Sequence, residues 1–241
     1  MLRSTNAIRG EIISATDGEI GKVDDLLFDI NQWGLRYFVV NTGTWLPGRK
    51  VLISPAACSR PDWLRLPVRL TREEVSNSPD ISSVEDFTLS RESDLVKHFG
   101  WPIYWAGSAN AGASRVPEAP PAQDGSGPET QRYLQGERGA KGFSVEAVDG
   151  KIGHIDDMIM DDEAWMMRYF VVDTANLLNG KSVLVAVGWT DTFNMREKTL
   201  SLTMTKEDLA RSPEYDPLAP VNRQYEARLY DFYGQPRYWS R

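Results

Sequence analysis

The sequence predicts a mainly β protein made of two small tandem antiparallel β-barrels, each with a short helical C-terminal extension, joined by a flexible linker. Three observations carry this. The stretch Asp17 to Val40 returns 132 residues later as Asp149 to Val172, with 13 of 24 positions identical, and a repeat of this kind fixes the architecture before any other reading. Each copy holds several short apolar runs separated by turn residues, the pattern of a small β domain. Between the copies lies Ala106 to Gln131, rich in Ala, Gly, Ser and Pro, with one Val as its large aliphatic, and such a segment buries too little surface to offset its ordering entropy. The expected domains are therefore 1–105, linker 106–131, and 132–241.

The elements follow in order. Asp17-Gly18 and Asp149-Gly150 supply the turn of a β-hairpin between apolar runs. Arg36 to Val40, Lys50 to Ile53 and Leu64 to Leu70 then read as short strands of a strongly bent antiparallel sheet, which closes most economically into a barrel that hides its edges. Thr71 with Glu74 and Thr205 with Asp208 stand at capping-box spacing, so a short helix begins at each. Downstream the offset between copies becomes 134. It carries Phe99-Gly100-Trp101-Pro102-Ile103-Tyr104-Trp105 onto Tyr233-Gly234-Gln235-Pro236-Arg237-Tyr238-Trp239. Each tail follows a partly helical pattern, and Gly100 and Gly234 suit the left-handed residue that closes a helix.

Composition narrows the functional classes. With 27 basic and 34 acidic side chains the net charge is −7, which disfavours nucleic acid and anionic lipid as partners. No run of the sequence is long and apolar enough for a transmembrane segment. The lone Cys58, and His98 and His154 without close spacing to other ligands, predict a reducing, cytoplasmic location and no cofactor or metal. Asp24-Asp25 and Asp156-Asp157 are the nearest approach to chemistry. Adjacent strand residues face opposite sides, so the two carboxylates converge on one cation only at a bulge. Pairing with Arg36 and Arg168 is the expected role. Gly21 and Gly153 suggest a bulge or close packing, and Trp33 and Trp165 suggest packing onto the barrel. Trp101, Tyr104, Trp105, Tyr233, Tyr238 and Trp239 are the candidate partner-binding residues, because Tyr and Trp dominate interface hot spots; the competing expectation is that each tail folds back over a barrel.

The Asp-Gly-x-Ile-Gly run ending in Asp24-Asp25-Leu26-Leu27-Phe28-Asp29, Trp33, the Arg36 to Val40 strand and the Leu46-x-Gly48-x-x-Val51-Leu52 that follows resemble the PRC-barrel family, represented by the cytoplasmic domain of the photosynthetic reaction-centre H subunit and by the C-terminal barrel of a ribosome-maturation factor. The resemblance covers roughly residues 5–80 and 140–214. It implies a barrel of about six strands that docks onto partner proteins, with no catalytic residues. Asp17, Gly18, Gly21, Asp24, Asp25 and Arg36, with Asp149, Gly150, Gly153, Asp156, Asp157 and Arg168, form the repeated signature. The expected function is a non-enzymatic docking or scaffold module. The alternatives are a soluble H-subunit-like accessory of a membrane electron-transfer complex and a metal-dependent hydrolase using the Asp pairs. Self-association through equivalent surfaces of the two barrels is expected as well.

Overall fold

Strand formation follows from where the apolar side chains fall. In the computed structural model, which describes residues 1–59, 65–79, 89–101, 134–174 and 180–240, the first repeat runs β1 (Leu2–Ser4), α1 (Thr5–Ile8), β2 (Ile12–Ala15), β3 (Gly18–Asp29), β4 (Leu35–Asn41), β5 (Lys50–Ile53), β6 (Arg65–Pro67), α2 (Arg72–Ser76) and α3 (Leu89–Phe99). The second runs β7 (Leu134–Gly136), α4 (Glu137–Ala140), β8 (Ser144–Ala147), β9 (Gly150–Asp161), β10 (Met166–Asp173), β11 (Ser182–Ala186), β12 (Thr190–Asn194), β13 (Thr199–Leu202), α5 (Lys206–Arg211) and α6 (Arg223–Phe232). The protein is mainly β, with one sheet per repeat. The linker 106–131, Tyr104 and Trp105 lie outside the described residues.

The sheets share their connectivity: β5-β4-β3-β2-β6 in one, β11-β10-β9-β8-β13-β12 in the other. Residues 35–40 of β4 are all buried, as expected of a strand covered on both faces. One correction concerns the run from Leu64 to Leu70. Leu64 lies outside the described residues, and of Arg65 to Leu70 the strand is Arg65–Pro67, which pairs with β2 in parallel, as β13 does with β8. The connection through β3, β4 and β5 is long enough to return the chain in the same direction, which a hairpin cannot do.

The pairing along twelve-residue β3 and β9 is interrupted by register shifts, two of which in each strand skip a residue of the strand itself. Between Ile13/Ser14 and Val145/Glu146 the pairing skips Ile20 and Ile152; between Val23/Asp25 and Val171/Val172 it skips Asp24 and Asp156. Such bulges bend a long strand and increase its twist. The bend lets one half of β3 pair with β2 and the other half accept a different strand, β7, through Leu27↔Gly136, Phe28↔Gln135 and Asp29↔Leu134. In the same way β9 accepts β1, through Ile159↔Ser4, Met160↔Arg3 and Asp161↔Leu2.

The first strand of each repeat therefore completes the sheet of the other. The compact units are accordingly Arg9–Gly136, and Met1–Ile8 with Glu137–Arg241, instead of 1–105 and 132–241. Called here the N-terminal and C-terminal units, each has its own core. Ile13, Leu26, Phe28, Tyr37 and Phe38 fill the first, and Val145, Met158, Tyr169, Phe170 and Leu200 the second, all fully buried. No helix among the described residues is long and apolar enough to cross a membrane.

Candidate functional site

The helical extensions are seated on the sheets by a buried carboxylate. In the N-terminal unit Glu92 of α3 accepts hydrogen bonds from the Tyr37 hydroxyl at 2.9 Å and from Arg36 Nη2 at 2.7 Å, while Arg36 Nη1 donates to Asp29 at 3.0 Å. All three charged residues are at most 6% exposed, so removing one partner would strand the others in a low-dielectric site. In the C-terminal unit Glu226 of α6 takes the same place. Its Oε1 accepts from Tyr169 at 2.7 Å and from Tyr238 at 2.8 Å, and its Oε2 pairs with Arg223 at 2.9 Å. Glu92 and Glu226 are related by the 134-residue offset that relates the tails. Nothing in residue type marks them as buried; their equivalent positions on two amphipathic stretches are the signal that would have found them.

Pairing of Arg36 and Arg168 with Asp24-Asp25 and Asp156-Asp157 is the expectation from the sequence, and the contacts observed are to other acids. The arginines reach Asp29 and Asp161, seven residues back across the β3–β4 and β9–β10 turns. Arg and Asp meet there because the turn folds one strand onto the next. Asp29 Oδ1 also accepts the amides of Asn31 and Gln32, and Asp161 Oδ1 those of Glu163 and Ala164. Trp33 and Trp165 stand in these turns with φ of 60° and 53°, a left-handed conformation uncommon for a bulky residue. Trp33 stacks on Phe28 at 5.7 Å.

The bulges separate the two acids of each pair. Half-exposed Asp24 takes Lys50 at 2.8 Å, whereas Asp25 is buried and accepts the Leu26 amide at 2.8 Å. Asp156 is exposed, and Asp157 is buried and receives the Thr5 hydroxyl at 2.7 Å, the Met158 amide at 2.8 Å and the Ser4 hydroxyl. Among the described residues no group of three or more His, Cys, Asp or Glu side chains could hold a metal ion. Asp17 and Asp149 accept the amides of Arg72 and Lys206, tying each hairpin turn to the first residue of α2 or α5. Gly18 and Gly150, in the same turns, have φ of 149° and 119°. At Gly21 and Gly153 the backbone of the next strand approaches so closely that neither could carry a side chain.

An aromatic and arginine cluster ends the C-terminal unit. The backbone turns at Gly234, φ 61°, and sends Tyr238 and Trp239 back along α6. Trp239 meets Tyr230 edge-on at 5.1 Å, the Arg223 guanidinium lies 4.4 Å from the Trp239 ring, and that of Arg168 lies 4.2 Å from the Tyr238 ring. Tyr233 packs against Trp189 at 4.9 Å. Burial, then the Glu226 carboxylate, pushes the Tyr238 hydroxyl up to about 12, and burial, with the negative charge of Asp208, does the same for Tyr233. Tyr238 and Trp239 remain partly exposed, so the tail covers its own unit on one side and faces outward on the other. In the N-terminal unit Trp101 is buried and stacks on Phe99 at 4.2 Å.

Cys58 pairs in a β-bridge with Val68, and burial pushes its thiol up to about 12. His98 Nε2 lies 3.0 Å from the Glu74 carbonyl oxygen and His154 3.9 Å from Asp173, so neither histidine joins the acidic pairs of Asp24 or Asp156.

No curated protein matches the chain. The model of the PRC-barrel domain family matches residues 1–62, from the exchanged strand β1 through β5 and on beyond Cys58.

Proposed function

We propose that this chain is a non-enzymatic docking module of the PRC-barrel type, built twice, with the C-terminal extension as its contact surface. The observation that carries this is the cluster of Tyr238, Trp239, Arg168 and Arg223. Tyr, Trp and Arg are the side chains that contribute most at protein interfaces. Here they are partly exposed and held in place before any partner arrives, by the Tyr238 to Glu226 hydrogen bond and by the stacked guanidinium groups. Preorganisation of this kind lowers the entropy lost on association. The match to a PRC-barrel domain at residues 1–62 supports a small β module of the same kind, and the shared strand order supports extending that reading to the second repeat. The non-enzymatic reading is supported by Asp24, Asp25 and Asp157 of the acidic pairs, whose carboxylates are occupied by Lys50, by backbone amides and by hydroxyls.

The test compares proteins captured from native lysate by the intact chain and by a Trp239→Ala, Arg223→Ala double variant. The proposal expects a defined set held by the former and lost by the latter, with the fold of the variant verified by circular dichroism. Identical captured sets would overturn it. Membrane electron-transfer subunits in the lost set would assign the chain to the H-subunit-like accessory role, and soluble proteins to a scaffold role.

A further inference from the structure

The reciprocal pairing of β1 with β9 and of β7 with β3 places a strand-binding site on each sheet, and the one on β9 has a chemistry of its own. Ser4↔Ile159 in one sheet and Gly136↔Leu27 in the other are the same register displaced by 132 residues, so the two sites are equivalent positions on bent strands. They differ in how they hold the strand. At Gly136 a Cβ would stand 2.6 Å from Asp25 Oδ2, so that site takes a bare backbone under its carboxylate. At the equivalent Ser4 the side chain fits, and its hydroxyl donates to Asp157. Thr5 then stands between two buried carboxylates, its hydroxyl 2.7 Å from Asp157 Oδ1 and 2.8 Å from Glu137 Oε1, with one proton to share between them. The Asn6 amide adds a bond to Asp157 at 3.3 Å, and Lys141 closes the cluster from Glu137 at 2.7 Å. Thr5, Glu137 and Asp157 are 0%, 0% and 6% exposed.

We infer that β9, with Asp157 and Glu137, is a docking site for a short strand that ends in Ser-Thr, and that its occupant is this chain's own Leu2–Ile8 segment, whose strand Leu2–Ser4 is inserted from the other repeat as a donor strand while Thr5 opens α1. Main-chain pairing along the edge supplies affinity and the two hydroxyls supply the register, as in other strand-addition complexes. A one-residue slip would carry Ser4 and Thr5 away from the carboxylates and leave both acids buried without them. The consequence concerns connectivity. The segment 102–133 is flanked by Trp101 and Leu134, both in the N-terminal unit, while the chain passes between units at Ile8–Arg9 and Gly136–Glu137. A cut inside 106–131 therefore yields two pieces, each of which still holds a strand of the other's sheet. They should remain one particle.

The experiment uses the intact folded chain carrying a protease recognition sequence between Gly125 and Ser126, cleaved under native conditions. Native mass spectrometry and size exclusion should show the cleaved protein near the 27.2 kDa of the uncut chain, with two bands only after denaturation. The same cleavage of a Ser4→Ala, Thr5→Val variant should give halves that part at a roughly tenfold or greater concentration, or at lower urea, because hydrogen bonds to a buried carboxylate are lost. Hydrogen exchange on the uncut variant should show faster exchange at Ile159 to Asp161, with unchanged protection at Leu27 to Asp29. Separation of the wild-type halves at micromolar concentration would overturn the inference. So would dissociation and exchange at Ile159 to Asp161 that are unaffected by the two substitutions.

Discussion

Gly21 and Gly153 leave no space for a side chain: a Cβ would lie 2.1 Å from the Asn41 carbonyl oxygen and 1.9 Å from that of Asp173. Both obstacles are backbone, so neither strand relaxes without breaking its pairing. Gly21→Ala and Gly153→Ala should each destabilise their unit by roughly 3 kcal/mol, at the upper end of overpacking effects, and thermal melts should show losses of ~12 °C or more. The paired aspartates should separate in the same way. Asp157→Asn replaces an acceptor of buried hydroxyl and amide donors with a group that is partly a donor itself, and should cost roughly 2 kcal/mol. Asp24→Asn loses a half-exposed contact with Lys50 and should change stability by about 0.5 kcal/mol or less. Urea unfolding of the two variants checks the difference. At Cys58, a thiol raised to about 12 stays protonated at neutral pH, and the thiolate is the reactive form. Alkylation by iodoacetamide at pH 7 should be far slower than for free cysteine.

The extension helices depend on single polar contacts more than on their own propensity. Helices α2 and α5 start on capping boxes in which the Thr71 and Thr205 hydroxyls accept the amides of Glu74 and Asp208, and the amides of Thr71 and Thr205 donate to those residues' carboxylates in return. Those bonds hold both carboxyl groups below their usual range. Longer α3 and α6 rely on Glu92 and Glu226. Glu92→Ala removes the partner of both Arg36 and Tyr37 and should cost roughly 3 kcal/mol, the range for breaking a buried charge pair; the loss is read as weaker hydrogen-exchange protection along α3. The tyrosines around α6 give a pH dependence. Tyr215, Tyr233 and Tyr238 are raised from 10.0 to about 12, chiefly by burial. A phenol with a raised folded-state pKa adds stability that is complete below the unfolded value and is lost as pH rises toward the folded one. The C-terminal unit should therefore lose stability progressively between about pH 10 and 12. Phenolate absorbance and circular dichroism, followed together, should change in step for these residues.

At the scale of the molecule, the chain passes between the two units at Ile8–Arg9 and at Gly136–Glu137. A variant lacking residues 236–241 loses Tyr238 from Glu226 and Trp239 from Tyr230 and Arg223. These contacts belong to the C-terminal unit, so protection should fall along α6 and β10 and stay unchanged along α3 and β4. Deuterium uptake in the two sets of peptides measures this directly, and an equal loss in both would place the tail's role elsewhere.

Local chemistry determined a large part of this protein. The Asp-Gly turns, the bulge or close approach at Gly21 and Gly153, the capping boxes at Thr71 and Thr205 and the left-handed glycines at Gly100 and Gly234 each depend on residues a few positions apart, and each is legible in the sequence for that reason. The partners of Arg36 and Arg168 were decided by the fold, because the turn after Asp29 or Asp161 brings that acid to the arginine while a bulge turns the Asp24 and Asp25 side chains to different surroundings. The roles of Glu92 and Glu226 were likewise settled by where an amphipathic helix lands. The exchange of β1 and β7 is the furthest from the sequence. Leu2–Ser4 and Leu134–Gly136 are three-residue strands with no periodicity to read, and each would satisfy the same backbone donors on either of two equivalent sheets. Only tertiary structure distinguishes them, through the Ser4 and Thr5 hydroxyls that meet Asp157 and Glu137 on one sheet and the bare Gly136 that fits beside Asp25 on the other.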